Sequence, residues 1–424
     1  MTRRAVARSA VLGAGAAFLF AGGGGVARAA GDADGVPSAR TANGASPRDP
    51  DGFVLELPAP TGPYRLGATT LYLVDTERND PWVDKTRPRE LMISVFYPAH
   101  TVRGYPVAPQ MTPDAAAVFE VLDTTTLHRE LPDTGVAWAA TRTHAHTGAP
   151  ALPVRRPVLL YTPGGGDPRT LGTGVAEELA SHGHVVVTID HPGDASEVDF
   201  PHKPPGPEKI RTTVFRDDPR TNPRLFRTMI ETRIADTRFV LDQLEALAAG
   251  RNPDATGHPL PRHLGRALDL RRVGVYGHSA GGTTAAQTLY DDDRVSAAVN
   301  IEGFLDHPPQ APGQEGELFP VARDGVDRPL LLLGSSGFLG KRELERSWSA
   351  ALAHSGGHAH RREVGDADHW TFTDYGALVP QLQAAGLMTA DERKKMVGTI
   401  EPAVSVPLVR GYMRGFFIRH LRRR

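Results

Sequence analysis

The chain has 424 residues, a formal net charge of -1 and 23% charged residues, a balance that does not indicate a nucleic-acid partner. It contains no cysteine, which excludes a disulfide framework and a cysteine nucleophile. The length exceeds what one core usually needs, but no internal repeat or second core pattern is present in the sequence. We therefore expect one large domain that carries loop insertions.

The N-terminus has the features of an export signal. Arg3 and Arg4 precede a mildly apolar stretch at residues 10–21, and Ala-Arg-Ala at residues 27–29 resembles a cleavage site. The apolar stretch is too short to cross a bilayer of about 30 Å as a helix. We expect residues 1–30 to be a twin-arginine signal peptide of a secreted protein. A general secretory signal and an uncleaved anchor are the alternatives.

Residues 31–52 are rich in Ala, Gly, Ser, Pro and Asp, a composition typical of a disordered leader. Strand and helix patterns then alternate through a predicted domain at residues 53–424. They predict strands at 158–161, 185–189, 272–276, 295–301 and 330–333, and helices near 174–182, 224–249 and 283–289. This alternation predicts an α/β fold with a doubly wound, mostly parallel sheet.

Two segments are expected near the mouth of a pocket. Residues 200–222 contain five prolines and are predicted to be neither a helix nor a central strand. They would form either a mobile lid or a rigid surface connection. Residues 108–123 are predicted to be a helix.

The most informative motif is Gly-His-Ser-Ala-Gly at residues 277–281, directly after a short apolar strand. In such a nucleophile elbow the serine lies in a strained turn between strand and helix, and glycines avoid collisions on either side. The small and apolar residues that follow predict a buried helix. We expect the α/β-hydrolase fold with Ser279 as the nucleophile, and a purely structural glycine-rich turn is the alternative.

The base and the acid of a triad should follow the nucleophile in the order acid, then histidine. Among the 17 histidines we select His369, because it follows a short strand and a turn and precedes an aromatic run. The strand at 330–333 is followed by no carboxylate, whereas the preceding strand ends on Glu302. We therefore predict Glu302 as the acid, with Asp306 as the competitor.

An oxyanion hole needs two N–H donors near the reacting carbonyl. The first is expected from Ala280, directly after the nucleophile. The second is expected from the loop after the strand at 158–161, where Pro163 has no N–H and three glycines follow. We select Gly165 among them. The loop could also suggest a phosphate cradle, but the Lys-Ser/Thr that such a site requires does not follow.

Several segments together resemble the plasma-type platelet-activating-factor acetylhydrolase family, isoform II, and its bacterial secreted relatives. They are the loop at 161–170, the run at 179–191, the elbow, the pattern His369-x-x-Phe372-x-Asp374, and the early strands at 57–67 and 89–98. The resemblance covers roughly residues 53–420. It implies calcium-independent hydrolysis of short or oxidised sn-2 acyl esters. Two positions depart from the family: Glu302 stands where aspartate is common, and Pro163 where histidine is common.

The sequence is compatible with other functions. A general carboxylesterase, lipase or polyester hydrolase would use the same triad, as would a serine peptidase, and a hydrolase-like binding protein would need no chemistry. We expect a small-molecule or lipid ester as substrate, and neither a cofactor nor a metal. The histidines that could suggest a metal site are expected to be exposed, in turn-rich sequence: His144, His146, His354, His358 and His360. The basic end at 419–424 could contact anionic lipid, but a solvated tail is expected.

Overall fold

The computed structural model describes residues 52–422, apart from 84–85, 202–208, 217, 312 and 339–340. The predicted signal peptide and nearly all of the predicted leader therefore lie outside the described residues. None of the described helices has both the length and the apolar character that a membrane span requires.

The described strands are β1 (Leu66–Asn79), β2 (Pro88–Pro98), β3 (Val107–Pro109), β4 (Arg142–Thr147), β5 (Arg156–Thr162), β6 (Val185–Ile189), β7 (Glu197–Asp199), β8 (Ile210–Thr212), β9 (Leu268–His278), β10 (Val295–Ile301), β11 (Leu330–Ser335) and β12 (Ala359–Val364). The described helices are α1 (Pro113–Leu122), α2 (Thr173–Ser181), α3 (Pro223–Ala248), α4 (Leu264–Ala267), α5 (Ala280–Asp291), α6 (Pro320–Arg323), α7 (Lys341–His354), α8 (Tyr375–Ala384), α9 (Ala390–Val397) and α10 (Pro402–His420).

Ten strands form one sheet in the order β12-β11-β10-β9-β5-β6-β2-β1-β4-β3. Every pairing from β12 to β6 is parallel, whereas β2 pairs antiparallel with both β6 and β1. The mostly parallel sheet predicted from the sequence is thereby confirmed. Because parallel strands end at the same edge, the loops after β5, β9, β10, β11 and β12 lie along one edge of the sheet.

Both faces of the sheet are covered. Successive residues of β5 alternate between two core clusters, with Val158 and Leu160 in one and Leu159 and Tyr161 in the other. The first cluster includes apolar side chains of α3 and α5, and the second includes those of α2 and α10. This alternation is the period of a strand whose two faces are buried, which explains the continuous apolar runs in the sequence.

The structure describes much of the two segments expected near a pocket mouth, and one of them differs from its prediction. Within residues 200–222, the described part contributes β8, which pairs only with β7 outside the main sheet, and a short 3₁₀ turn at Pro219–Thr221. For the described residues of this segment, the prediction of neither an α-helix nor a central strand is confirmed. The helix expected at 108–123 is shorter and begins at Pro113, because Thr112 caps its N-terminus and the residues before it form β3.

Candidate active site

Ser279 occupies a strained turn between β9 and α5. Its backbone has φ 53° and ψ -120°, a conformation that a non-glycine residue adopts only when its surroundings enforce it. A Cβ at Gly277 would lie 2.2 Å from the Gly281 carbonyl oxygen, and one at Gly281 would lie 1.9 Å from the Thr162 carbonyl oxygen. The Ser279 N–H donates to the Ile301 carbonyl at 2.7 Å. The elbow predicted from the motif is therefore present.

Glu302 directly follows β10, next to the elbow. Its side chain is fully buried, and Oε2 accepts a hydrogen bond from Nδ1 of His369 at 2.6 Å. The other oxygen, Oε1, accepts from the amide of Ser335 at 2.5 Å and from its hydroxyl at 2.6 Å. Burial by itself would raise the pKa of Glu302, but His369 and Ser335 outweigh it and lower the pKa below its ordinary value. The carboxylate is therefore ionised at neutral pH.

The competitor Asp306 is not at the site of the histidine. Its carboxylate is hydrogen-bonded to Arg346 and lies 3.5 Å from the guanidinium of Arg220. Its carboxylate therefore pairs with two arginines, and Glu302 is the carboxylate that binds Nδ1 of His369.

His369 begins a 3₁₀ turn, His369–Phe372, in the loop after β12. Its backbone N–H is capped by Oδ1 of Asp368 at 2.7 Å. The ring stacks on Phe338, with centroids 4.4 Å apart and an interplanar angle of 14°. Nε2 is buried and has no hydrogen-bond partner among the described residues. A ring whose Nδ1 donates to a carboxylate thus keeps a free lone pair on Nε2.

His278, the residue before the nucleophile, connects the elbow to this turn. Its ring lies 4.4 Å from that of His369, and its Nε2 donates to the His369 carbonyl oxygen at 2.9 Å. Its Nδ1 faces Oδ2 of Asp167 at 3.9 Å. Burial and the neighbouring His369 lower the pKa of His278, so this ring is neutral. The structure thus places Glu302 and His369 in hydrogen-bond contact near the turn that carries Ser279, whose hydroxyl makes no hydrogen bond to Nε2 of His369. It adds His278, which the motif contains but whose role no local pattern indicates.

The loop after β5 adjoins the elbow and contains the predicted second oxyanion donor. The Gly166 N–H donates to Oδ1 of Asp194 at 3.0 Å and is not available to a ligand. Within the described part of the chain, the N–H groups of Gly165 and Ala280 have no acceptor. Both predicted donors therefore remain unused by the protein itself.

Ligand atoms of His278, Glu302 and His369 lie within 4.8 Å of one another, a spacing that could hold a metal ion. However, the carboxylate and Nδ1 of His369 already share a hydrogen bond, which an ion would have to replace. The same atoms are arranged as a catalytic acid–histidine pair requires.

The histidines expected to be exposed divide into two groups. Three are exposed as predicted: His354, His358 and His360. The prediction is wrong for His144 and His146, which are half-buried in β4, a strand between β1 and β3 along which burial alternates. Nδ1 of His144 lies 2.9 Å from Oε2 of Glu177, and Nδ1 of His146 donates to the Tyr105 carbonyl at 2.7 Å.

A mostly parallel sheet, a serine elbow and a buried carboxylate–histidine pair at one sheet edge define a serine hydrolase of the α/β-hydrolase fold. Residues 54–385 match the family model of platelet-activating factor acetylhydrolase, isoform II. The chain belongs to this family.

Individual relatives agree with that membership. The chain is 26% identical over 399 residues to a probable 1-alkyl-2-acetylglycerophosphocholine esterase of Arthroderma benhamiae, covering 89% of this chain and 91% of that protein. It is 23% identical over 190 residues to the platelet-activating factor acetylhydrolase of Cavia porcellus, covering 43% of this chain and 40% of that protein. The structure of a ferulic acid esterase from Streptomyces cinnamoneus is similar at 32% identity and a TM-score of 0.65, covering 87% of this chain and 94% of that one. The chain is accordingly a carboxylic ester hydrolase.

Proposed function

We propose that the chain hydrolyses short acyl esters through an acyl-enzyme, with Ser279 as nucleophile, His369 as base and Glu302 as the orienting acid. The observation that carries this proposal is the buried His369 ring, whose Nδ1 is bonded to Glu302 at 2.6 Å while Nε2 has no partner among the described residues. An imidazole held in this tautomer can accept a proton only at Nε2. The strained serine turn beside it supplies the hydroxyl.

Acylation begins when Nε2 of His369 takes the proton of the Ser279 hydroxyl as its oxygen attacks the ester carbonyl. The carbonyl oxygen becomes an oxyanion that accepts hydrogen bonds from the N–H groups of Ala280 and Gly165. The C–O bond to the alcohol then breaks, and the alcohol leaves with the proton from Nε2. Glu302 stays ionised and stabilises the imidazolium.

Deacylation repeats these steps with water. His369 takes a proton from water as the water oxygen bonds to the acyl carbon, and the bond to Ser279 breaks as the proton returns to the serine oxygen. The net reaction converts an ester and water into an acid and an alcohol, and the enzyme returns to its starting state.

We infer acetyl and other short acyl esters of glycerophospholipids as the substrate class. Support comes from the family and from the fungal relative, whose name describes an acetylglycerophosphocholine esterase. The test is hydrolysis of p-nitrophenyl esters from acetyl to palmitoyl, beside a phospholipid with a short sn-2 chain. We expect activity to be strongest on short chains, to include the phospholipid, and to be lost in Ser279→Ala. The matched control is Ser349→Ala on the exposed side of α7.

Three other outcomes are informative. Cleavage of short p-nitrophenyl esters without cleavage of the phospholipid would indicate a general carboxylesterase. Equal activity in Ser279→Ala would contradict the triad assignment. An absence of activity on every ester would favour a peptidase or a binding protein.

Esters of ferulic acid are the second candidate substrate. The observation that favours them is the similarity to the Streptomyces cinnamoneus ferulic acid esterase, which covers most of both chains. Methyl ferulate in the same assay distinguishes the two classes. A kcat/KM for methyl ferulate above that for the short-chain phospholipid would favour the aromatic acid.

We also propose that the protein is exported by the twin-arginine route. Support comes only from residues 1–30, which lie outside the described residues. The test is the fraction of protein found outside the cytoplasm when residues 1–30 are intact and when Arg3 and Arg4 are both replaced by lysine. We expect export of the intact chain and cytoplasmic retention of the variant. Unchanged export would favour the general secretory route.

Contact with lipid surfaces through the basic end at residues 419–424 is a further proposal, supported by the exposed Arg419 and Arg422. Co-sedimentation with vesicles containing phosphatidylserine tests it. Replacement of Arg419 and Arg422 by glutamine is expected to weaken binding and leaves the buried Leu421 in place. Equal binding would indicate that these two side chains are only solvated.

A further inference from the structure

We propose that Arg233 is a positioning residue that orients the oxyanion-hole peptide of the loop after β5. The inference rests on the proposed function and assigns a role to a side chain 46 positions before the nucleophile in the chain. Arg233 lies in α3 and is 1% exposed, so its guanidinium is fully surrounded by protein.

The guanidinium contacts the loop through two adjacent carbonyl groups. NH1 donates to the Pro163 carbonyl oxygen at 2.6 Å, and NH2 donates to the Gly164 carbonyl oxygen at 2.8 Å. Nε donates to Oδ2 of Asp194, whose other oxygen accepts the Gly166 N–H at 3.0 Å. The pair Arg233–Asp194 thus binds the loop on both sides of Gly165.

The direction of the Gly165 N–H follows from peptide geometry. The Gly164 carbonyl and the Gly165 N–H belong to the same peptide unit, which is planar and trans, so the two groups point in opposite directions. Because the carbonyl is directed at Arg233, the N–H is directed away from α3, and it has no acceptor among the described residues. The Pro163 carbonyl and the Gly164 N–H also share one peptide unit. Because this carbonyl points at Arg233, the Gly164 N–H points away from α3.

The start of this loop lies against the elbow. A Cβ at Gly281 would lie 1.9 Å from the Thr162 carbonyl oxygen and 2.5 Å from that of Pro163. Arg233 therefore also fixes the position of the loop relative to the first turn of α5. This turn carries Ala280, the other oxyanion donor.

A glycine-rich loop needs such a constraint. Consecutive glycines adopt many backbone conformations, and rotation of one peptide unit would exchange an N–H for a carbonyl oxygen at the oxyanion position. A carbonyl there would repel the developing negative charge. Arginine suits the task because its planar group donates along several fixed directions at once, which lysine cannot do. Its hydrogen bond to the carbonyl also polarises the same peptide and strengthens its N–H as a donor.

Arg233→Lys tests the inference because lysine keeps the charge facing Asp194 and loses the fixed fork. We expect kcat for p-nitrophenyl acetate to fall roughly 100- to 1,000-fold, the range typical for loss of one oxyanion donor, with KM nearly unchanged. Phenylboronic acid forms a tetrahedral adduct with the serine oxygen, and its inhibition constant should rise by a similar factor. A purely structural role would not shift kcat and boronate affinity together.

Arg89→Lys is the matched control. Arg89 is equally buried and binds Asp236 and Asp80, but it does not contact the loop after β5. We expect this variant to retain the wild-type kcat. A kcat loss equal to that of Arg233→Lys would indicate general damage and overturn the inference, as would a folded Arg233→Lys with unchanged kcat.

Asp194→Asn covers the case in which Arg233→Lys does not fold. The amide oxygen of asparagine can still accept a hydrogen bond from the Gly166 N–H. The negative charge that pairs with Nε of Arg233 is lost. A smaller, parallel loss of kcat and boronate affinity is expected, and unchanged values would overturn the inference. If wild type and Arg89→Lys both lack ester hydrolysis, the proposed function fails, which is distinct from a loss specific to Arg233.

Discussion

At the scale of single residues, the two oxygens of Glu302 have different partners. Oε2 accepts from His369, and Oε1 accepts two hydrogen bonds from Ser335. Each of these partners is a donor, which favours the ionised form in spite of full burial. The carboxylate is therefore held in one orientation, and it holds the imidazole in one tautomer.

Glu302→Gln tests the acid directly. The amide keeps the shape of the side chain but can donate to Nδ1 of His369, which would select the wrong tautomer. We expect kcat to fall about 10³- to 10⁴-fold, as for the loss of a triad acid in other serine hydrolases. Asp306→Asn is the control, because Asp306 pairs with Arg346 instead of the imidazole. Equal losses in both variants would refute the assignment of Glu302.

Ser335→Ala removes one of the two donors to Oε1 and leaves the amide in place. Since the pKa of Glu302 is lowered in the folded state, its ionised form stabilises the fold above its unfolded pKa of about 4.3, and this contribution is lost as pH falls through the folded value. With one donor fewer, the pKa is lowered less. Acid unfolding, followed by circular dichroism, should therefore begin at a higher pH than in wild type. An unchanged acid transition, with Ser349→Ala as control, would contradict this.

At the scale of elements, the site depends on close contact between the elbow and the loops beside it. Gly281 at the first turn of α5 lies against the loop after β5, and a Cβ at Gly303 would lie 2.3 Å from the Thr283 amide and 2.6 Å from the Ser279 carbonyl oxygen. Glycine is therefore required where two backbones meet without intervening side chains. The loops that carry Gly165, Ser279 and Glu302 are thus positioned by one another.

Gly281→Ala tests the contact between the elbow and the loop after β5, and Gly411→Ala is its control. The Cβ at Gly281 would lie 1.9 Å from a carbonyl oxygen, so backbone must move, at a cost of about 1–3 kcal/mol. Because that movement displaces both oxyanion donors, kcat should fall roughly 100-fold. Gly411 lies within α10 with no atom within 4 Å of a new Cβ, so alanine there should stabilise the fold by about 1 kcal/mol.

Urea denaturation and p-nitrophenyl acetate hydrolysis measure both effects. Full activity in Gly281→Ala would show that the contact between elbow and loop is not required.

Parts of this site could be predicted because they follow strands. Ser279, Glu302 and His369 each come soon after a parallel strand, and parallel strands bring such residues to one edge. Ser335 is the last residue of β11, beside the loop where an acid is often found, and no pattern indicates that its hydroxyl binds Glu302. Arg233 could not be predicted, because a charged residue in a long amphipathic helix normally faces solvent.

At the scale of the whole molecule, a buried ion cluster joins the sheet to α3. Arg89 of β2 and Asp236 of α3 are both fully buried and paired at 2.8 Å. Arg89 also pairs with Asp80 at 3.1 Å and donates to the Pro192 carbonyl at 2.7 Å. Burial by itself would raise the pKa of Asp236, but Arg89 and His191 outweigh it and hold the pKa well below its ordinary value. Arg89 and Asp236 therefore fix α3 against β2 through a fully buried ion pair.

Arg89→Met replaces the cation with an apolar side chain and leaves a buried carboxylate without its main partner. We expect a destabilisation of about 3–5 kcal/mol at pH 7, measured by urea denaturation. The exposed pair Lys209–Asp114 is the control, since Lys209→Ala should cost less than about 1 kcal/mol.

The difference in free energy of unfolding between wild type and Arg89→Met should depend on pH. In wild type the lowered pKa of Asp236 gives a stabilisation that is present above its unfolded pKa of about 3.9 and is lost as pH falls through the folded value. In Arg89→Met the carboxylate keeps Arg78, at 2.9 Å, and His191, at 3.0 Å, but loses its strongest counter-charge. We expect burial then to raise its pKa, so that the stabilisation is present below the unfolded pKa and is lost as pH rises. The free-energy difference between the two proteins should therefore be smaller at pH 4.5 than at pH 7. A difference that is constant over this range would show that the variant is destabilised by altered packing and not by an unpaired charge.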